Sequence, residues 1–137
     1  MRKLNTIIFI IAVTLLSSAF IPSDSNTTNA GKWVYLGERK VDYISDRDVI
    51  QVTAAKGAYR ALRFNVKRSP IRLNHITIHF GNGNTQKLNV NVRIPANQWS
   101  PILDLKGNKR IINKVVFNYK TPPRASKKAL VKLFGRK

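Results

Sequence analysis

The sequence predicts an all-β domain, an antiparallel β-sandwich of jelly-roll-like type with about eight strands, preceded by a signal peptide. Short apolar stretches recur from Trp33 onward and are separated by Gly, Pro and Asn, as is typical of strands joined by tight turns. Within the clearest stretches apolar and polar residues alternate. This alternation gives a sheet one buried and one solvated face, which is the pattern of a sandwich.

The strands are bounded by turn residues. Leu62, Phe64 and Val66 alternate with polar neighbours, and so do Leu88, Val90, Val92 and Ile94. The eight predicted strands are Trp33–Leu36, Val41–Ile44, Val49–Thr53, Tyr59–Val66, Ile71–Phe80, Gln86–Ile94, Ile102–Leu105 and Ile111–Tyr119. A further segment, Ala129–Phe134, suits a closing strand better than a short membrane-active helix, because it is too short to be a stable isolated helix.

The register of the central hairpin follows from the alternation of inward and outward side chains along a strand, which repeats every two residues. A two-residue Asn82-Gly83 turn would place core residues on opposite faces, whereas the three-residue loop 81–83 pairs Ile76 with Leu88. Such loops commonly have Gly at the left-handed position, here Gly83. The apolar residues change from odd to even positions between Leu73 and Ile76. A bulge is therefore expected at Asn74-His75, with Leu73 near Val90 and Ile71 near Val92.

The N-terminus has the features of an export signal. Two basic residues precede the apolar run Leu4–Leu16, and small residues at 17 and 19 suit cleavage after Ala19, with a cut after Ala30 as a weaker alternative. The expected organisation is a signal peptide over 1–19, a disordered lead-in over 20–31 and the β-sandwich over 32–137. Retention of residues 4–21 as a membrane anchor is the alternative, since that stretch is near the minimum length for a span.

Composition indicates an exported, basic protein without disulfide bonds. The 137 residues carry 25 Lys and Arg against 6 Asp and Glu, a net charge of +19, and contain no Cys. Disulfides and thiol lipidation are thereby excluded, and stability must come from the core. A charge of this size attracts polyanions and anionic membranes over long distances. No specific nucleic-acid motif is present, and no transmembrane span is expected after signal cleavage.

No constellation of residues commits the chain to an enzyme or to a metal. His75 and His79 lie four apart in a predicted strand, about 13 Å from each other, which is too far for two ligands of one zinc ion. Asp46-Arg47-Asp48 begins like a calcium loop, but the later ligands are missing. The chain lacks a nucleophile elbow and a phosphate-binding Gly loop. We therefore expect a non-enzymatic protein without cofactor or metal. Trp99, in a Pro-rich linker, suits either a lid on the sandwich or an exposed contact.

Several segments, taken in order, resemble a family of small exported bacterial β-domains catalogued as a domain of unknown function. The resemblance covers roughly 33–136 and implies a compact β-sandwich and export, with no known activity and no catalytic residues. It also implies that Asp46, Arg47, Asp48, Asp104 and Arg110 form one structural polar cluster. The segments that carry it are Ser45–Ile50, Ala61–Phe64, Asn82-Gly83, Ser100 with Asp104–Gly107, Arg110, Val115–Tyr119 and Ala129–Arg136.

The function expected from these observations is binding of an anionic envelope component in the periplasm or outside the cell. The ligand would be an anionic polymer or anionic lipid head groups. Four outward-phase cations are the predicted site, Arg63, Lys67, Lys87 and Arg93, and they form one flat array if their strands share a sheet. The alternatives are docking onto another envelope protein through an open strand edge and, less favoured, a hydrolase.

The first prediction concerns the N-terminus. The mature protein is expected to begin at Phe20, because the small residues Ser17 and Ala19 stand at the positions that signal peptidase requires. N-terminal sequencing of the exported protein measures this directly. Recovery of Met1 on protein from a membrane pellet would contradict cleavage and support the anchor.

Overall fold

Two antiparallel sheets pack face to face in the computed structural model, which describes residues 31–42, 46–53, 56–123 and 127–137. The predicted signal peptide and the predicted lead-in, except its last residue Gly31, lie outside the described residues. Ten strands are present in this part of the chain and no α-helix, so the predicted β-sandwich is confirmed. The strands are β1 Trp33–Lys40, β2 Arg47–Gln51, β3 Ala58–Tyr59, β4 Ala61–Lys67, β5 Ile71–Phe80, β6 Thr85–Ile94, β7 Gln98–Trp99, β8 Leu103–Asp104, β9 Arg110–Lys120 and β10 Leu130–Arg136.

Strands distant in sequence pair within each sheet. Sheet A has the order β1-β10-β4-β7, with β8 also pairing with β4, and sheet B has the order β2-β9-β5-β6, with β3 pairing with β9. The C-terminal segment is strand β10 in the interior of sheet A, which confirms the closing strand and excludes the amphipathic helix. The predicted strand Val41–Ile44 is not formed by its described residues, Val41 and Asp42, and its remainder lies outside the described part.

The core lies between the inward faces of the two sheets. Phe64 of β4, Phe117 of β9 and Leu133 of β10 are completely buried, as are Leu73, Ile76 and Ile78 of β5. The rings of Phe64 and Phe117 meet across the two sheets with centroids 5.9 Å apart. Alternating apolar residues thus form one continuous core, as the pattern predicted.

The hairpin of β5 and β6 confirms the predicted three-residue loop. Ile76 pairs with Leu88, the amide of Phe80 bonds the carbonyl of Asn84 at 2.9 Å, and Gly83 has a φ of 89°. The chain irregularity also falls where it was expected, next to Asn74.

The register beyond that irregularity differs from the prediction. Leu73 pairs with Val92 and Ile71 with Ile94, not with Val90 and Val92. Between the two registers one residue of β5 stands opposite two residues of β6, so the extra residue of this pair is in β6. The strand accommodates the extra residue at Asn91, whose φ is 49°. This is a left-handed conformation that Asn tolerates better than most residues.

The short strands β7 and β8 both pair with β4, and Ser100, which lies between them in the chain, adds two hydrogen bonds to Phe64 of β4. The buried Ser100 hydroxyl accepts a hydrogen bond from the amide of Phe64 at 2.8 Å and donates one to the carbonyl of Pro101 at 2.8 Å. Its own amide bonds the carbonyl of Phe64 at 2.8 Å. Ser100 therefore satisfies a strand amide that the short β7 leaves without a backbone partner.

Replacing Ser100 is expected to destabilise the fold. Ser100→Ala leaves the buried amide of Phe64 without its acceptor, which costs about 1–3 kcal/mol. The free energy of unfolding from urea denaturation measures this loss. Thr85→Ala, at an exposed position in β6, is the control and should change stability by less than about 0.5 kcal/mol. Equal stability of the two variants would contradict this account of Ser100.

Candidate ligand-binding faces

Cations occupy the outer face of sheet B. In antiparallel strands directly opposed residues share a face, so the register identifies the outward residues of β2, β9, β5 and β6. Eight of them are basic or histidine, and we call this surface the basic face: Arg47, Arg72, His75, His79, Lys87, Arg93, Lys114 and Lys120. None of the outward residues in these strand pairs is acidic.

Three cations of the basic face stand in one row across three strands. Arg72 of β5 pairs with Arg93 of β6 on one side and with Lys120 of β9 on the other. All three are exposed, and neighbouring strands lie about 4.8 Å apart. Like charges directly opposite each other destabilise a sheet. An anion lying over the row would remove that repulsion.

The row borders a depression of about 260 Å³ lined also by Pro70, Ile71, Thr121 and Pro122. The two prolines restrict the backbone just before β5 and just after β9, and the Thr121 hydroxyl is a neutral donor. The depression is large enough for one anionic group of a larger ligand. Its chemistry suits a phosphate or carboxylate held by charge-assisted hydrogen bonds.

The four predicted anion-binding residues do not form one array. Arg63 and Lys67 lie on β4 of sheet A, whereas Lys87 and Arg93 lie on β6 of sheet B. Alternation indicates which residues of a strand point outward, but it does not say which sheet the strand joins. The single array is therefore corrected to two separate pairs on opposite sides of the core, and anion binding by either pair stays a prediction.

Sequence analysis missed Arg72 and Lys120. Arg72 precedes the irregularity in β5, where the phase of alternation changes, and Lys120 lies one residue beyond the predicted end of its strand. Only the register that brings β9 beside β5 places them next to Arg93. A pairing of β5 with β9 could not be derived from spacing, because a long connection separates the two strands.

The two histidines and Asp48 lie on opposite faces of sheet B. His75 and His79 project from β5 onto the basic face, opposite Asn89 and Thr85 respectively. Asp48 instead pairs with the buried Phe117 and points to the inner side of the same sheet. Among the described residues no group of three or more His, Cys, Asp or Glu has the arrangement of a metal site.

The five residues of the expected polar cluster lie in three places. Asp46, Arg47 and Asp48 are adjacent at the start of β2, and Asp104 lies on β8 in the other sheet. Arg110 is the first residue of β9, whereas Arg47 pairs with Asn118 near the other end of that strand. Eight residues, or about 26 Å, separate Arg110 from Asn118 along the strand. The single cluster is thus corrected, because its members belong to different strands and sheets.

Each of the dispersed polar residues has its own local contact. Arg110 lies over the ring of Phe80, 3.6 Å from its centroid, and donates a hydrogen bond to Asn82 at 3.3 Å. Asp104 is 82% exposed and lies 3.9 Å from Arg136. At this separation and exposure the ion pair is weak.

Asp48 links strand β2, at the edge of sheet B, to strand β1, at the edge of sheet A. Its side chain, 10% exposed, accepts a hydrogen bond from Arg39 of β1 at 3.0 Å and one from the hydroxyl of Tyr119 at 2.7 Å. The backbone carbonyl of Asp46 accepts from the amide of Tyr119 at 2.9 Å. Because Tyr119 is completely buried, its hydroxyl needs an acceptor. The Asp48 carboxylate is nearer than the carbonyl of Asp42, which lies at 3.4 Å.

Trp99 is an exposed contact and not a lid. It is 43% exposed and lies on β7 at the outer side of sheet A, where its ring meets Phe134 at 5.0 Å and the guanidinium of Arg63 at 3.9 Å. The outer face of sheet A therefore differs from the basic face in being rich in aromatic rings. Glu38 and Asp104 also project from it.

Comparison with known proteins assigns a family. The family model described as a domain of unknown function, DUF2541, matches residues 8–135, so the chain belongs to that family. No curated protein matches it. A solved structure of AlgX from Pseudomonas aeruginosa is similar over 77% of this chain and 26% of its own, with 11% identity and a TM-score of 0.48. The chain thus spans about a quarter of that protein's length. In the described ranges no helix is long and apolar enough to cross a membrane.

Substitution of Asp48 and substitution of Asp104 by alanine are expected to differ in their effect on the stability of the fold. Asp48→Ala removes the acceptor 2.7 Å from the buried Tyr119 hydroxyl, whose other acceptor, the Asp42 carbonyl, lies at 3.4 Å, and it removes the ion pair with Arg39. The variant should lower the free energy of unfolding by about 1–3 kcal/mol. Asp104→Ala removes only an exposed, long ion pair and should change it by less than about 1 kcal/mol. Urea denaturation of both variants measures the difference. A larger loss for Asp104→Ala would contradict the assignment.

Proposed function

We propose that this chain is a non-enzymatic, exported envelope protein that binds an anionic envelope polymer through the basic face. The Arg93–Arg72–Lys120 row carries the proposal. Three adjacent cations on three strands hold a fixed spacing, which matches repeated charges on a polymer better than one small ion. Lys87 and Lys114 extend the positive surface along β6 and β9.

Export is part of the proposal and rests on the sequence. The basic n-region, the apolar run and the small residues before Phe20 are the parts of a secretory signal. The periplasm or the extracellular space would then be the place where the protein meets its ligand. Those compartments contain polymers and lipid head groups that carry phosphate and carboxylate.

A binding role is favoured over catalysis by where the titratable groups lie. General acid–base catalysis needs two such groups within reach of one substrate. His75 and His79 are on the outer side of sheet B, Asp48 is on its inner side, and Asp104 is in sheet A. These placements support a binding protein.

Docking on another envelope protein through a strand edge is the second candidate function. β6 has ten residues and ends the strand order of sheet B, so its outer backbone groups could pair with a further strand. Lys87, Arg93 and the left-handed Asn91 are features that typically hinder such pairing. We therefore rank polymer binding above edge docking.

Removing the row is expected to lower both affinity and its salt dependence. Duplex DNA serves as a probe of calibrated charge, for which each lost phosphate contact reduces the slope of log K against log salt by about 0.9. The triple variant Arg72→Gln, Arg93→Gln, Lys120→Gln should therefore reduce the slope by about 2.7. Retention on heparin and on anionic vesicles should fall in parallel.

The control variant changes the same net charge elsewhere. Lys40→Gln, Lys127→Gln, Lys137→Gln replaces three exposed cations outside the basic face and should leave the slope nearly unchanged. Equal losses in the two variants would mean that only net charge matters. Binding of a protein partner that persists at high salt, where exposed charges are screened, would support edge docking.

A further inference from the structure

Four aromatic rings gather on the outer face of sheet A. Tyr35 and Trp99 are 40% and 43% exposed, and Trp33 and Phe134 are half-buried. Phe134 touches Trp99 at 5.0 Å and Tyr35 at 5.7 Å between centroids. The rings belong to β1, β7 and β10, so the patch extends across the sheet. Contiguous exposed patches of this kind mark binding surfaces.

Arg63 lies in the middle of these rings. Its guanidinium carbon is 4.2 Å from the centroid of Trp33 and 3.9 Å from that of Trp99, so the group is held between two indoles. Its Nε is buried and has no hydrogen-bond partner within the described part of the chain. The stacked, planar group is pre-organised, and it loses little freedom when it binds an anion bidentately.

Arg136 brings a second guanidinium to the same ring. It lies 5.3 Å from the centroid of Trp33, and it forms a long ion pair of 3.9 Å with the mostly exposed Asp104. Burial, and then repulsion from Arg136, lowers the pKa of Arg63. Arg63 and Arg136 thus lie against the same indole ring, with only a long ion pair to the exposed Asp104 beside them. A further anionic group would stabilise this arrangement.

The ligand must combine an anionic group with an apolar ring surface. The negative face of an indole attracts the weakly positive C–H groups of a sugar ring, and Trp99 offers exposed surface directly beside Arg63. We propose that the outer face of sheet A binds an acidic polysaccharide. Arg63 and Arg136 hold the carboxylate of a uronic acid residue, and Trp99 packs against its sugar ring.

The surroundings favour a sugar chain over a membrane. Glu38 and Asp104 project from the same face, and burial of their carboxylates in lipid would cost free energy, whereas a hydrated sugar chain leaves them in water. Rings spread over three strands give several stacking positions along one chain of sugars. This site is independent of the basic face, which lies on the opposite side of the sandwich.

Short oligogalacturonates test the proposal by calorimetry on the full chain. The titrations are made on the Arg72→Gln, Arg93→Gln, Lys120→Gln background, which removes the row that carries the proposed function, so that the two proposals are tested separately. Binding is expected, and it should be about tenfold or more weaker for the methyl-esterified oligomer, which keeps the rings and loses the charge.

Two substitutions locate the site. Trp99→Ala should weaken binding about tenfold through loss of the ring contact, and Arg63→Lys should weaken it similarly, because Lys keeps the charge without the planar fork. Ile111→Ala is the control, since Ile111 is 46% exposed and lies on β9 of sheet B. Unchanged melting temperatures of Trp99→Ala and Ile111→Ala exclude unfolding as the cause.

Three results would overturn the proposal. The first is an absence of binding to any of the acidic oligomers. The second is equal binding of polyglutamate, lost in Trp99→Ala, which would indicate an acidic protein partner. The third is Trp99-dependent binding to phosphatidylglycerol vesicles but not to the oligomers, which would indicate a membrane surface.

Discussion

The contact between Phe64 and Phe117 joins the two sheets, and the rest of the structure depends on the core around it. Both rings are completely buried and lie 5.9 Å apart. Burial of one such side chain contributes about 1.5–3 kcal/mol, whereas an exposed ion pair such as Asp104–Arg136 contributes about 0–1 kcal/mol. Because the chain has no Cys, no covalent bond supplements this core. The apolar contacts between the sheets therefore carry the stability.

That core also determines the two outer faces. Inward residues of a strand alternate with outward ones, so each buried side chain of β4 or β5 places its neighbours on an outer surface. On sheet B the charged outward side chains are cationic, and none of the outward residues in these strand pairs is a carboxylate. On sheet A they combine aromatic rings with charges of both signs. Repulsion along the Arg93–Arg72–Lys120 row lowers stability, and the buried core tolerates this cost.

The alternation of apolar and polar residues predicted much of the fold but little of the arrangement of charged residues on the outer faces. Alternation identified Leu62, Phe64 and Val66 as core, and the period of two selected the loop 81–83, since a two-residue turn would have separated core residues. Both results follow from neighbours in sequence. The partner of each strand depends instead on long connections, so the sheet that Arg63 or Lys87 joins could not be predicted. For the same reason the family resemblance suggested one polar cluster where the structure has three separate places.

Trp99 and Arg63 show a second limit of the pattern. Alternation placed Arg63 on a solvated face, which is correct, yet the guanidinium is half enclosed by indoles from β1 and β7. β7 has only two residues, too few to give a periodic signal, so nothing in the sequence brought Trp99 beside β4. The aromatic setting of Arg63 therefore emerges only from tertiary structure.

The separation of the two faces has a consequence for binding. Packed sheets lie about 10 Å apart, and the outward side chains add to that distance. It exceeds the screening length of about 8 Å at physiological salt, so the cations of the basic face only weakly influence an anion held at Arg63 and Arg136. A ligand on one face also leaves the other face open, because a chain would have to bend around an edge strand to touch both. Under the two binding proposals, the molecule would hold two ligand segments at once, one by charge alone and one by charge together with ring contacts.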